Sequence, residues 1–166
     1  MNRIIIIVLG CLSLLFPAGC SSAEPIGISF YYCREPDAYQ FFQNDGVIRS
    51  EPRDITGHRN DLRYMVSLYL AGPMEESLVS PFRKTTKVIS TEQSGSTISI
   101  ELSDHSKDLT DSEFSLACAC LTLTCMDFMD CESVTIISGE RSMTMNSDNI
   151  LLYDTLLSQE NTGGQK

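Results

Sequence analysis

The sequence predicts an α+β fold, a two-layer sandwich in which two main helices pack on one face of a mixed or antiparallel sheet. Three observations lead there. Residues 58–71 and 110–129 carry apolar side chains at helical spacing, in one stripe each. Several shorter segments alternate apolar and polar residues at strand period, so each has one face to bury. The elements run β-β-α-β-β-α-β-β, and single-striped helices laid on single-faced strands close one core between two layers.

The first strand starts at Ile26, where Ile26, Ile28, Phe30 and Tyr32 alternate with other residues. Asn44-Asp45-Gly46 marks a turn, and 47–55 forms a second strand that Pro52 confines to an edge or an end. In 58–71, Leu62, Met65, Val66, Tyr69 and Leu70 form the stripe, and Asn60 or Asp61 can cap the start. Gly72-Pro73 stops this helix, because glycine accepts the left-handed position after the cap and proline cannot continue. Residues 74–79 predict one more helical turn, ended by Ser80-Pro81.

Residues 87–93 and 96–102 flank Ser94-Gly95 and predict a tight hairpin. Its second arm points Ile98, Ile100 and Leu102 one way and Thr97, Ser99 and Glu101 the other. Thr110 and Glu113 have capping-box spacing at the head of the long helix, whose expected buried stripe is Phe114, Ala117, Cys118, Leu121, Cys125 and Phe128. Thr122 and Thr124 lower its intrinsic propensity, so tertiary packing must hold it. Strands at 134–138 and 142–145 follow across Gly139-Glu140, then an apolar segment 150–157 of open type, and 158–166 is a polar tail.

The N-terminus reads as an address. Arg3 precedes a run, 4–16, that is apolar apart from Gly10, Cys11 and Ser13, the length of a secretory core and short of the ~20 residues that span a bilayer. Pro17-Ala18-Gly19-Cys20 resembles the lipobox of bacterial lipoproteins, with proline where leucine is usual. The expected organisation is a lipoprotein signal peptide over 1–19, a lipidated tether over 20–25, a domain over 26–157 and a flexible tail over 158–166. Cys20 is the expected lipid anchor. Acyl chains contribute roughly 0.8 kcal/mol per buried CH₂, so two or three palmitate-like chains hold stably where one does not.

Five further cysteines, Cys33, Cys118, Cys120, Cys125 and Cys131, lie beyond the anchor. Zinc spacing is lacking: Cys118 and Cys120 stand about 200° apart round a helix, and Cys118 and Cys125 are separated by ~10 Å of rise. Buried thiols are the expected state, with a disulfide involving Cys131 or Cys33 as the alternative.

Acidic side chains outnumber basic ones 22 to 12, which excludes broad nucleic-acid binding. Hydrolysis through His58 or His105 lacks a Gly-x-Ser-x-Gly elbow, and no phosphate loop or EF-hand loop occurs. Asp127 and Asp130 share a helix face, for which a solvated surface is the expected reading. Neither catalytic residues nor a metal or cofactor is expected. Arg49, Arg53, Arg59 and Arg63, clustered in the sequence, and the aromatics Tyr31 and Tyr39 are the candidate interaction surface.

Several motifs then carry a family likeness. Leu68-Tyr69-Leu70-Ala71-Gly72-Pro73 resembles the helix-ending Leu-Ala-Gly-Pro signature of GerMN domains. Ser80-Pro81 with Lys87-Val88, the arm from Ser94 to Ser103, the helix Cys118 to Met129 and the strand Val134 to Gly139 are similar to that family's later landmarks, in the same order. Phe82-Arg83 replaces the family's second proline, and the cysteine-rich helix is unusual for it. The resemblance covers about residues 27–145 and implies a non-catalytic envelope module that works by protein–protein contact, with a setting in sporulation or germination. The expected partners are the membrane, through Cys20, and an envelope protein of unknown identity. The alternative is a lipoprotein that holds a small molecule or cell-wall fragment in a pocket between sheet and helices.

Overall fold

The structure is a computed structural model that describes residues 27–35 and 46–150. Cys20, Tyr39, the signal segment, the tether and the tail lie outside the described residues. The α+β class is observed, with the strands divided between two sheets. Strands β1 (Gly27–Arg34), β2 (Ile48–Asp54) and β3 (Leu78–Val79) form one sheet in the order β2-β1-β3, with both pairings antiparallel. Strands β4 (Val88–Ser94), β5 (Thr97–Leu102), β6 (Ser133–Ser138) and β7 (Arg141–Asn146) form the other in that order. Its β5/β6 pair is parallel and the outer pairs are antiparallel.

Helix α1 (Leu62–Leu70) buries the five residues of the expected stripe, Leu62, Met65, Val66, Tyr69 and Leu70. It starts four residues later than expected, because residues 58–60 form a turn and the Asp61 side chain accepts the Tyr64 N–H as the cap. Gly72 takes φ +95° after the last turn, a left-handed conformation in which a side chain would be strained. The expected helical turn at 74–79 is corrected: Leu78–Val79 pairs with Cys33–Arg34 as β3. The hairpin turn also shifts by one residue. Ser94 pairs with Thr97, leaving Gly95-Ser96 as the two-residue loop with Gly95 at φ +61°.

Helix α2 (Asp111–Phe128) starts with both halves of the capping box: Thr110 Oγ1 accepts from the Glu113 N–H, and Glu113 accepts from the Thr110 N–H. Its burial departs from a single stripe. Ser115, Ala119, Cys120, Thr122 and Thr124 are buried beside the expected residues, whereas Phe128 is only half-buried. The reason is its position, packed against β1 of one sheet and against β6 and β7 of the other. One continuous core therefore joins both sheets, and includes Phe30, Tyr32, Met65, Tyr69, Ile98, Ile100, Leu121 and Ile136. The Tyr32 and Tyr69 rings stack in it at 4.8 Å.

Against β1, α2 does the work of a strand. The Tyr31 N–H donates to Thr124 Oγ1 at 3.0 Å, and the Ser29 N–H donates to the Asp127 carboxylate. These two N–H groups point away from β2 and lie beyond the reach of the two-residue β3. Left bare they would form a sheet edge open to pairing with another chain.

Candidate functional site

The four-stranded sheet has two unlike faces. Ile98, Ile100, Leu102, Val134, Ile136 and Met145 point inward and are buried. The opposite face carries Thr97 and Ser99 of β5, Ser133 and Thr135 of β6, and Ser142 and Thr144 of β7, all exposed or half-buried. The registers align them in rows, with Thr97 beside Ser133, and Ser99, Thr135 and Thr144 side by side. Hydrogen bonds pair four of these hydroxyls. Thr97 and Ser133 lie 3.1 Å apart, Thr135 and Thr144 2.8 Å, and Ser90 donates to Glu101 at 3.0 Å. The result is a surface rich in hydroxyls that also carries Glu101 and the half-buried Ile137. Such a face suits contact and hydrogen bonding.

The sequence-predicted surface does not assemble in this way. Arg53 is corrected: it is 8% exposed, its guanidinium paired with Glu51, lying over the Phe30 ring and donating to the Gly72 carbonyl at 2.7 Å. Strand alternation turns Arg53 inward on the same face as Glu51. Arg63 is exposed, but its guanidinium is engaged by the Ile89 and Val88 carbonyls at 2.8 and 3.4 Å, where the β4 register shifts. Arg49 and Arg59 are exposed, and Tyr31 is half-buried with its backbone held by α2.

Glu51 is the residue that sequence reasoning missed. Its carboxylate accepts the Met74 N–H at 2.9 and 3.0 Å and the Glu75 N–H at 2.9 Å. With Arg53 on the Gly72 carbonyl, this pair fastens the helix-ending Leu-Ala-Gly-Pro segment to β2. A signal existed in Glu51 and Arg53 two apart on a predicted strand, but nothing local says that both face inward.

Arg141 acts similarly at the head of α2. It donates to the carbonyls of Ser106 and Leu109 at 2.7 and 2.8 Å, pairs with Asp111 at 2.9 Å and covers the Phe114 ring. Asp127 is exposed, as its solvated reading expects, and its carboxylate also accepts the Ser29 N–H at the β1 edge. His58 stacks on Tyr64 with centroids 3.6 Å apart and has Asp61 at 3.9 Å, while His105 precedes a 3₁₀ turn, Ser106–Asp108. Among the described residues no hydrogen bond joins either imidazole ring to a serine or cysteine side chain, and no three His, Cys, Asp or Glu side chains converge as a metal site would require. A depression lined by Gly57–Asp61 is open to solvent and belongs to the β2–α1 loop, not to the space between sheet and helices.

Among the described residues the cysteines are free thiols in this structure, with Cys33, Cys118, Cys120 and Cys125 buried and Cys131 half-buried. Burial pushes the Cys118 thiol up to about 12 and raises Cys125 and Cys131 as well, so these sulfurs stay protonated and inert at neutral pH. Among the described residues, no helix is long and apolar enough to cross a membrane.

No protein-family model matches the chain, and no curated protein matches it. Solved structures similar to it include the following two. The tandem GerMN domains of the sporulation protein GerM from Bacillus subtilis align with TM-score 0.46 and 16% identity over 70% of this chain. The chain spans 39% of the length of that structure. A Clostridium perfringens chain classed as a lipoprotein aligns with TM-score 0.45 and 15% identity, over 75% of this chain and 89% of that one.

Proposed function

We propose that this protein is a lipid-anchored, extracytoplasmic, non-catalytic module that helps assemble a complex in the cell envelope. It docks through the outer face of the four-stranded sheet. The observation that carries the reading is that face: hydroxyls in register across three strands, two pairs of them hydrogen-bonded, backed by a buried and largely apolar inner layer. Its hydrogen-bonding groups are held in place by their neighbours, which lowers the ordering cost of association. The apolar run behind Arg3 and the small residues before Cys20 support export and acylation, so the membrane is one partner and an envelope protein the other. The GerMN-like motif series supports a setting in sporulation or germination.

The test is site-specific photocrosslinking in native membranes, with the crosslinker placed at Ser99, Thr135 or Thr144 and, as a control, at exposed Lys84. The sheet positions are expected to trap an envelope protein in the wild type and lose it in Cys20→Ala, which is released from the membrane. Adducts from Lys84 but not from the sheet would refute the docking face. Retention of Cys20→Ala on the membrane would refute the anchor.

A further inference from the structure

Helix α2 and strand β1 run alongside each other with matched periods. Asp127, Thr124 and Cys120 lie on one helix face at spacings of three and four. They meet Ser29, Tyr31 and Cys33, which alternate along the strand edge away from β2. About 10 Å of helical rise over seven residues runs against about 13 Å of strand over four, so the three contacts remain nearly in step. The first two are hydrogen bonds. The third brings the Cys33 and Cys120 sulfurs to 4.0 Å, both buried.

From this register we infer that Cys33 and Cys120 are partner thiols that oxidise to a disulfide, locking α2 to the edge of β1. The inference rests on the extracytoplasmic location proposed above, where oxidants reach the chain. Closing the bond needs the sulfurs to move from 4.0 Å to about 2.05 Å, while the flanking Thr124–Tyr31 hydrogen bond keeps the backbones in register. Cys118 points away round the helix, so Cys120 is the thiol on this face.

The oxidant is a disulfide, either of an exported oxidoreductase or of low molecular weight. One thiol, as thiolate, attacks it and forms a mixed disulfide; the second thiolate then displaces the departing thiol. The protein loses two protons and two electrons and gains one S–S bond, and the oxidant is reduced to its two thiols. The step belongs to folding, before burial removes both sulfurs from reach. The partners lie 87 residues apart, so the link constrains a long stretch of the unfolded chain.

The test has two arms on the full-length protein. In the first, the reduced, denatured chain is refolded with oxidised and reduced glutathione, then alkylated and mapped without reduction. A peptide joining Cys33 to Cys120 is expected, with two fewer alkylated thiols than the reduced control. The Cys33→Ala/Cys120→Ala variant should show an unfolding midpoint that reductant does not shift. No linked peptide, or one joining Cys125 to Cys131 instead, would overturn the inference. In the second arm, protein taken from native membranes is alkylated at once and mapped. The same linked peptide is expected. Formation on refolding but full alkylation in the membrane material would contradict the extracytoplasmic location while leaving the pairing itself established.

Discussion

Among single residues, the polar groups that matter most lie inside. Glu51 and Arg53 have side chains only 3% and 9% exposed, and between them they hold the backbone from Gly72 to Glu75. Removing one partner of such a pair leaves a buried charge without compensation, which costs about 3–5 kcal/mol. Glu51→Ala is therefore expected to lose that much in urea denaturation, and Glu51→Ala/Arg53→Met less than the sum of the two single changes. Equal losses for the double variant and the sum would mean that the pair is uncoupled. The four arginines look alike as a run in the sequence. The structure separates them, because strand parity sends Arg53 inward and the irregular β4 gives Arg63 two carbonyls to bind. Parity relative to a core is a property of the assembled sheet, and no window around Arg53 contains it.

At the scale of the element, α2 makes two opposite predictions from two threonines. Thr124 Oγ1 accepts the Tyr31 N–H and donates to the Cys120 carbonyl, so Thr124→Val strands a β1 donor and is expected to destabilise by about 1–3 kcal/mol. Thr122 Oγ1 is buried with no hydrogen-bond partner among the described residues, so Thr122→Val removes a desolvation penalty and is expected to stabilise, by about 1 kcal/mol or more. Denaturant midpoints of the two variants should move in opposite directions; a shift of the same sign would contradict the role given to the helix. The capping box adds a pH signature. The hydrogen bonds from the Thr110 N–H and then its hydroxyl hold Glu113 below the usual glutamate value. A carboxyl lowered in the folded state adds stability above its ordinary value and loses it as pH falls through the lowered one. Glu113→Gln should flatten that part of the stability–pH curve, and an unchanged slope would show that the box does not titrate with folding. Elements of this kind were legible beforehand: the α1 stripe, the capping box and the alternation of β5 are each written within a few turns or one strand. Strand β3 was not, since two residues become a strand only by pairing with Cys33–Arg34, far off in the chain.

Across the whole molecule, α2 lies between two sheets that share one core, and α1 adds contacts to β4. A shared core predicts a single cooperative urea transition, with fluorescence of the tyrosines near β1 and far-ultraviolet circular dichroism coincident. Two separated transitions would mean that the sheets unfold independently. The α+β class could be read from patterning, but the division of the strands could not, because pattern fixes which face of a strand is buried and leaves open which strands are neighbours. The outer face of the four-stranded sheet was half legible in the same sense. Thr97 and Ser99 alternate visibly with Ile98 and Ile100, while their alignment with Thr135 and Thr144 depends on the parallel β5/β6 pairing around α2.

The proposed docking through that face is tested most directly by a paired substitution. Thr135→Arg/Thr144→Arg changes two solvent-facing residues, so the unfolding midpoint should stay within the small range of surface substitutions. With the photocrosslinker at Ser99 in native membranes, this variant is expected to lose the envelope-protein adduct that the otherwise unchanged chain forms. An adduct of undiminished yield from the stable variant would contradict docking through the sheet.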